Sequence, residues 1–101
     1  MHVLAGDVGG TKVLLQLARV EKSGSQIIRE RRYECSAFSG LSPIIHEFLK
    51  SLGNTPIPDA ACFGIAGPIA GSESGQMAKV TNLPWETGSE ILSREHKIPK
   101  V

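Results

Sequence analysis

An excess of charge of one sign is missing from this chain. Eleven basic residues stand against ten acidic ones, leaving a formal net charge of +1. No strong field steers it toward nucleic acid or an acidic membrane surface, and neither is expected as a partner. Cysteine is scarce: Cys35 and Cys62 give no disulfide framework, and Cys62 sits in an apolar run where a thiol packs as a small hydrophobe. No apolar run is long enough to span a bilayer. The opening Met1-His2-Val3-Leu4-Ala5-Gly6-Asp7 lacks the basic and long apolar segments of a secretory leader, so a reducing cytoplasm is the expected compartment. Internal repeats, low-complexity tracts and an interdomain linker are absent as well. With 101 residues, one small domain is expected. It would bury roughly two-thirds of its unfolded surface around one core, without a deep cleft between two lobes.

The most informative stretch is Gly6-Asp7-Val8-Gly9-Gly10-Thr11-Lys12. It lies between the apolar runs Val3-Leu4-Ala5 and Val13-Leu14-Leu15, and so predicts the turn of a β-hairpin. A carboxylate, two glycines and a hydroxyl in one tight turn suit a metal-bound phosphate tail. Glycines let backbone N–H groups approach phosphate oxygens without a Cβ in the way. Thr11 adds a hydroxyl donor, and Asp7 can hold Mg²⁺ directly or through its water shell. The stretch is not a Walker A loop, because the sixth position counted from Gly6 is Thr11 and not glycine. No Gly-x-Gly-x-x-Gly dinucleotide fingerprint is present either. An ordinary hairpin turn built from Gly, Asp and Thr accounts for the same residues.

Along the rest of the chain, Val3 to Asp7 predicts the first strand. Lys12 to Val20 predicts the second, with Val13, Leu15 and Leu17 on one face. Gln26 to Cys35 predicts a third, whose charges at Arg29, Glu30, Arg31, Arg32 and Glu34 suit a solvated edge. Ser42 as N-cap and Pro43 at the first helical position open a helix that buries Ile44, Ile45, Phe48, Leu49 and Leu52, with Gly53-Asn54 as the stop and His46 facing outward. Asn54 to Asp59, with Pro56 and Pro58, is a loop. Ala60 to Ala66 is apolar without alternation, the pattern of a strand buried on both faces. Gly67-Pro68 breaks it. Ile69-Ala70 and Met77 to Val80, joined by Gly71-Ser72-Glu73-Ser74-Gly75, suggest a small hairpin. Thr81 to Trp85 reads as a loop. Thr87 and Glu90 form a capping box for a second helix stopped by Pro99, and Pro99-Lys100-Val101 begins another strand. The fold class is therefore α/β: a ribonuclease-H-like mixed sheet of three antiparallel strands followed by parallel strands with helices, cut near the start of the fifth strand.

Three segments resemble one family. Gly6 to Lys12 is similar to the first phosphate motif of the sugar-kinase, hexokinase and actin superfamily. Phe63-Gly64-Ile65-Ala66-Gly67-Pro68 and Val80-Thr81-Asn82-Leu83-Pro84-Trp85 resemble the following segment and the sugar-side loop of bacterial glucokinases. The resemblance covers essentially the whole chain. Lys12 is shared with repressor-type sugar kinases, so the subgroup stays open.

The resemblance implies ATP and Mg²⁺ as cofactors, with Gly6, Asp7, Val8, Gly9, Gly10, Thr11 and Lys12 at the ATP phosphates and Asp7 at the metal. It implies glucose beside Thr81, Asn82 and Trp85, where a hydrogen-bonded turn and a half-buried anchor are the plainer alternatives. Residues 1–101 would be the N-terminal part of a glucokinase small domain, incomplete and without its second lobe. The catalytic Asp of an Asn-Asp pair is expected beyond Val101, so no catalytic residue is assigned here. The implied activity of the whole is glucose phosphorylation at the entry to glycolysis. A fragment of a repressor-type sugar kinase, or a non-catalytic interaction module, is the alternative. A homodimer is left open, and the apolar strand at 60–66, if uncovered, is expected to favour self-association.

Overall fold

The computed structural model describes residues 1–53, 57–67, 69–72, 75–80 and 85–101. Its elements are β1 (His2–Val8), β2 (Lys12–Glu21), β3 (Gly24–Glu34), a 3₁₀ turn (Cys35–Ala37), α1 (Leu41–Ser51), β4 (Ala60–Ile65), β5 (Ile69–Ser72), β6 (Gly75–Lys79), β7 (Glu86–Gly88) and α2 (Ser89–His96). The first sheet has the order β3-β2-β1-β4. Its first two pairings are antiparallel, while β1 and β4 run parallel. The second sheet is antiparallel, with the order β5-β6-β7. The protein is thus mixed α/β with a sheet of mixed strand direction.

Period-two alternation builds the core. Leu4 pairs with Leu17, Gly6 with Leu15, and Val8 with Val13, so these residues share one face of the sheet. Leu4, Val8, Val13, Leu15 and Leu17 are fully buried there, together with Ile44, Ile45 and Phe48 of α1. Full burial of each such side chain contributes about 1.5–3 kcal/mol. Ala61, Phe63 and Ile65 of β4 pair with Leu4, Gly6 and Val8 and extend the same face.

Phe63 explains one glycine. A Cβ on Gly6 would lie 2.4 Å from Phe63 Cδ1, so only a residue without a side chain fits beneath that ring. β3 is an exposed edge strand, as its charges predict. A bulge opposite Leu17 and Ala18 places one extra residue, Ile28, in β3.

Four local expectations are corrected. The first helix begins at Leu41 with an extended Gly40 before it, not at a Ser42 cap. Burial of Leu41 sets the start, and the Ser42 hydroxyl is engaged elsewhere, by Glu95 and His96 of α2. Pro43 is still tolerated because the first turn of a helix has no use for its missing N–H. The second helix has no capping box: Thr87 belongs to β7, paired with Ala78, and Gly88 precedes the helix without a side-chain cap. That helix stops at His96, before Pro99, because Lys97 adopts a left-handed conformation at φ 57° and Ile98 is drawn into the core. Finally, β4 is not buried on both faces. Ala61 is buried on the core face, but Cys62 and Gly64, on the alternate face, are exposed.

The expected hairpin of β5 and β6 is present, as is the helix stop at Gly53, which adopts φ +66°. Lys100 forms an isolated parallel bridge with Ala60 at the start of β4. The loop and turn readings at Asn54, Pro56, Pro68, Glu73, Ser74, Leu83 and Pro84 lie outside the described residues.

Candidate functional site

β1 and β4 run parallel, so their C-terminal ends emerge side by side, and the conspicuous turn sits there. The register places Asp7 opposite Leu14 on one flank and Gly64 on the other. Alternation then turns Asp7 away from the core face that holds Gly6 and Val8. Asp7 is exposed, and among the described residues its carboxylate has no hydrogen-bond or ion-pair partner. Gly64 supplies no side chain beside it, which leaves that flank open.

The turn itself is closed by Gly9 N–H donating to Lys12 C=O at 2.9 Å. The Gly9 donor is thus consumed in closing the hairpin and is not one that can approach a phosphate oxygen. Among the described residues the amides of Gly10 and Thr11 have no backbone acceptor. Neither Gly9 nor Gly10 has a positive φ, so left-handed conformation is not what calls for glycine here. Close approach is the better reason. A Cβ on Gly9 would lie 3.3 Å from Lys12 O.

Three further bonds fix the turn from outside. Ala66 N–H donates to Val8 C=O at 2.9 Å, and Cys35 N–H donates to Thr11 C=O at 2.9 Å. The Cys35 thiol lies 3.6 Å from the Gly9 carbonyl. The Lys12 ammonium stands 3.9 Å from Glu34, with both side chains 65% exposed. Such a surface pair is worth about 0–1 kcal/mol, so Lys12 can leave it for a stronger anion at little cost.

The other residues singled out by sequence do not join this cluster. Trp85 is buried in the core, and its carbonyl accepts from Val80 N–H at 3.0 Å. Thr81 and Asn82 lie outside the described residues. An apolar groove of about 120 Å³ runs between β4 and the second sheet, lined by Phe63, Ile65, Ile69, Met77 and Leu92 among others. None of residues 6–12 lines it, and its described lining residues include no charged side chain. Cys35 and Gly64 were missed by sequence reasoning. Only strand register could have found them: pairing Lys12 with Glu34 brings Cys35 against Thr11, and pairing Asp7 with a β4 residue brings in Gly64.

Among the described residues no group of three or more His, Cys, Asp or Glu side chains could hold a metal by itself. The family model described as Glucokinase matches residues 4–101. This chain belongs to the glucokinase family. The glucokinase of Nostoc punctiforme is 45% identical over 100 residues, covering 98% of this chain and 28% of that protein. The glucokinase of Synechocystis is 34% identical over 110 residues, covering 100% of this chain and 30% of that protein. The crystal structure of a glucokinase from an Antarctic psychrotroph superposes with a TM-score of 0.83 over 98% of this chain and 30% of that one. At 20% identity that likeness speaks for the fold alone. The chain therefore spans under a third of the length of these glucokinases, and it corresponds to their N-terminal part.

Proposed function

We propose that this chain forms the phosphate-binding end of an ATP:glucose phosphotransferase that converts glucose to glucose 6-phosphate. The observation that carries the reading is the closed turn at residues 9–12, where among the described residues the Gly10 and Thr11 amides have no backbone acceptor and the neighbouring Asp7 carboxylate no partner. In this reading those amides, the Thr11 hydroxyl and the Lys12 ammonium bind the β- and γ-phosphates of ATP. Gly6 and Val8 hold the strand beneath them. Asp7 holds Mg²⁺ directly or through water, and the ion, when bound, neutralises phosphate charge. Phosphoryl transfer asks little covalent chemistry of the protein, so positioned donors are the main contribution of such a turn. The sugar 6-hydroxyl attacks the γ-phosphoryl in line as the bond to the β,γ-bridging oxygen breaks and ADP leaves, and it loses its proton to a base supplied by the part of the relatives' length that this chain does not span.

Thr81 and Asn82 are assigned to the sugar side, four and three residues before the buried Trp85 in sequence. The sheet is read as the first layer of a ribonuclease-H-like fold in the small domain, supported by the parallel bridge from Lys100 to Ala60. A cytoplasmic location at the entry to glycolysis follows from the same reading.

Two measurements test it. Calorimetry on the purified chain should find Mg·ATP and Mg·pyrophosphate binding weakly and about equally, because the turn contacts phosphates only. A strong preference for ATP would reveal an adenosine site elsewhere in the chain, and no binding of either would remove the phosphate assignment. A coupled assay should detect no glucose-dependent ADP release, since loss of a positioned base alone costs about 10²- to 10⁴-fold.

A further inference from the structure

Cys35 lies more than twenty residues beyond the turn in sequence, yet it meets the turn at two carbonyls. Its N–H holds Thr11 C=O, and its thiol donates to Gly9 C=O. The side chain is 2% exposed. Burial first, and then the charge of Glu34, push the thiol above its ordinary value, so it stays protonated and keeps its donor.

The geometry of the peptide unit gives these contacts a consequence. The Gly9 carbonyl and the Gly10 N–H belong to one planar trans peptide and point in opposite directions. With the carbonyl drawn toward buried Cys35, the Gly10 N–H must face away from it, out of the protein. A peptide between two glycines flips easily, because neither residue has a Cβ to oppose the change.

We propose that Cys35 is the positioning residue of the phosphate turn, its thiol holding the Gly9 carbonyl inward so that the Gly10 N–H is presented to a phosphate oxygen. The proposal rests on the phosphate reading given above and adds to it a residue that touches no substrate. Tyr33 supports the same corner. It stands opposite Val13 and packs edge-to-face on Phe38 at 5.7 Å, bracing the chain on either side of Cys35.

The test compares Cys35→Val, which keeps an apolar side chain and loses the donor, with Cys35→Ser, which keeps a donor on a shorter bond. Cys35→Ala removes the donor without added bulk and serves where valine disturbs packing. Nitrogen-15 NMR follows the Gly10 amide and the β1 and β2 amides in the same samples, and calorimetry measures Mg·pyrophosphate binding. Loss of one such hydrogen bond is expected to weaken binding about three- to tenfold in Cys35→Val. The Gly10 amide should shift and broaden while the amides of Leu4, Leu15 and Leu17 stay in place, and Cys35→Ser should lie nearer the wild type on both readouts. Wild-type binding matched by Cys35→Val, or serine no better than valine, would overturn the role of Cys35 alone. A wild-type chain that does not bind Mg·pyrophosphate would instead overturn the phosphate reading, and the role of Cys35 with it.

Discussion

Replacing Gly6 with alanine adds one methyl group at the most crowded point of the first sheet. The new Cβ would stand 2.4 Å from Phe63 Cδ1, 2.8 Å from Phe63 Cε1 and 3.0 Å from Leu15 Cδ2. Carbon atoms in good contact sit about 3.5–4.0 Å apart, so relief requires a displacement of roughly 1 Å. Leu15 is fully buried and has nowhere to withdraw. The half-buried ring of Phe63 must move instead and give up its cover over the sheet. Overpacking of this kind costs about 1–3 kcal/mol. For a domain of this size, 1 kcal/mol lowers the melting temperature by about 4–8 °C. Gly6→Ala should therefore melt some 5–20 °C below the wild type, by the same conversion. The assay is thermal unfolding followed by circular dichroism for Gly6→Ala, Phe63→Leu and the double variant. Leucine has no ring edge at the point of overlap. The double variant should thus be more stable than the two single losses added together, by about 1 kcal/mol or more. Additive losses, or a neutral Gly6→Ala, would mean that Phe63 does not lie over Gly6. The parallel register of β1 and β4 would then be shifted, and a shift of one residue would turn Phe63 to the opposite face and take Gly64 from beside Asp7.

Other outcomes follow from the same geometry. Asp7→Asn should leave the melting temperature nearly unchanged, within about 0.5 kcal/mol, because the carboxylate is exposed and unpartnered among the described residues. It should also abolish the gain in pyrophosphate affinity on adding Mg²⁺, and calorimetry retaining that gain would move the metal elsewhere. His96 is buried, which lowers its pKa below 6.5, and it faces Ser42 at 2.9 Å as well as Glu95 and His46. The unfolded chain then binds the proton more readily, so this group's contribution is full above pH 6.5 and declines as the pH falls toward the folded value. Urea midpoints at pH 7.5 and 5.5 should differ less in His96→Gln than in the wild type; an equal difference in both would remove His96 as the source. Ser42→Ala deletes the hydroxyl that joins α1 to Glu95 and His96 and should cost about 1 kcal/mol in urea denaturation. A neutral result would show that the two helices do not depend on that contact.

The parts of this fold legible in sequence are those where one residue's neighbours decide its environment. Alternation alone gave Val13, Leu15 and Leu17 to the core, and the helical spacing of Ile44, Ile45 and Phe48 gave the face of α1. The glycine turn was legible because strand, turn and strand are consecutive. Helix starts were misread where capping residues had better partners at a distance. Ser42 was drawn across to α2, and Thr87 was taken into β7, where it pairs with Ala78. Short β7 was hidden because three residues cannot show a period, and its pairing with β6 is what makes it a strand. The run at 60–66 could not reveal which side would be covered, since an apolar stretch is compatible with burial on one face or two. In the candidate site, Asp7 to Lys12 came from a local pattern, whereas Cys35, Gly64 and Ala66 come from register, which no window of sequence contains.

The bonds around the turn carry a thermodynamic consequence. Val8 is held by its ladder partner Val13 and by Ala66, Gly9 by Lys12 and Cys35, and Thr11 by Cys35. The backbone that would receive a phosphate is therefore ordered when the sheet forms, before any ligand arrives. Fixing a residue's backbone costs about 1–2 kcal/mol, and here that loss is charged to folding and not to association. A ligand too small to make many contacts, such as pyrophosphate, can then still register as a binder. The reverse also holds: any change that loosens one of these bonds returns the ordering cost to the binding step, and affinity falls although no group that touches the ligand has been removed.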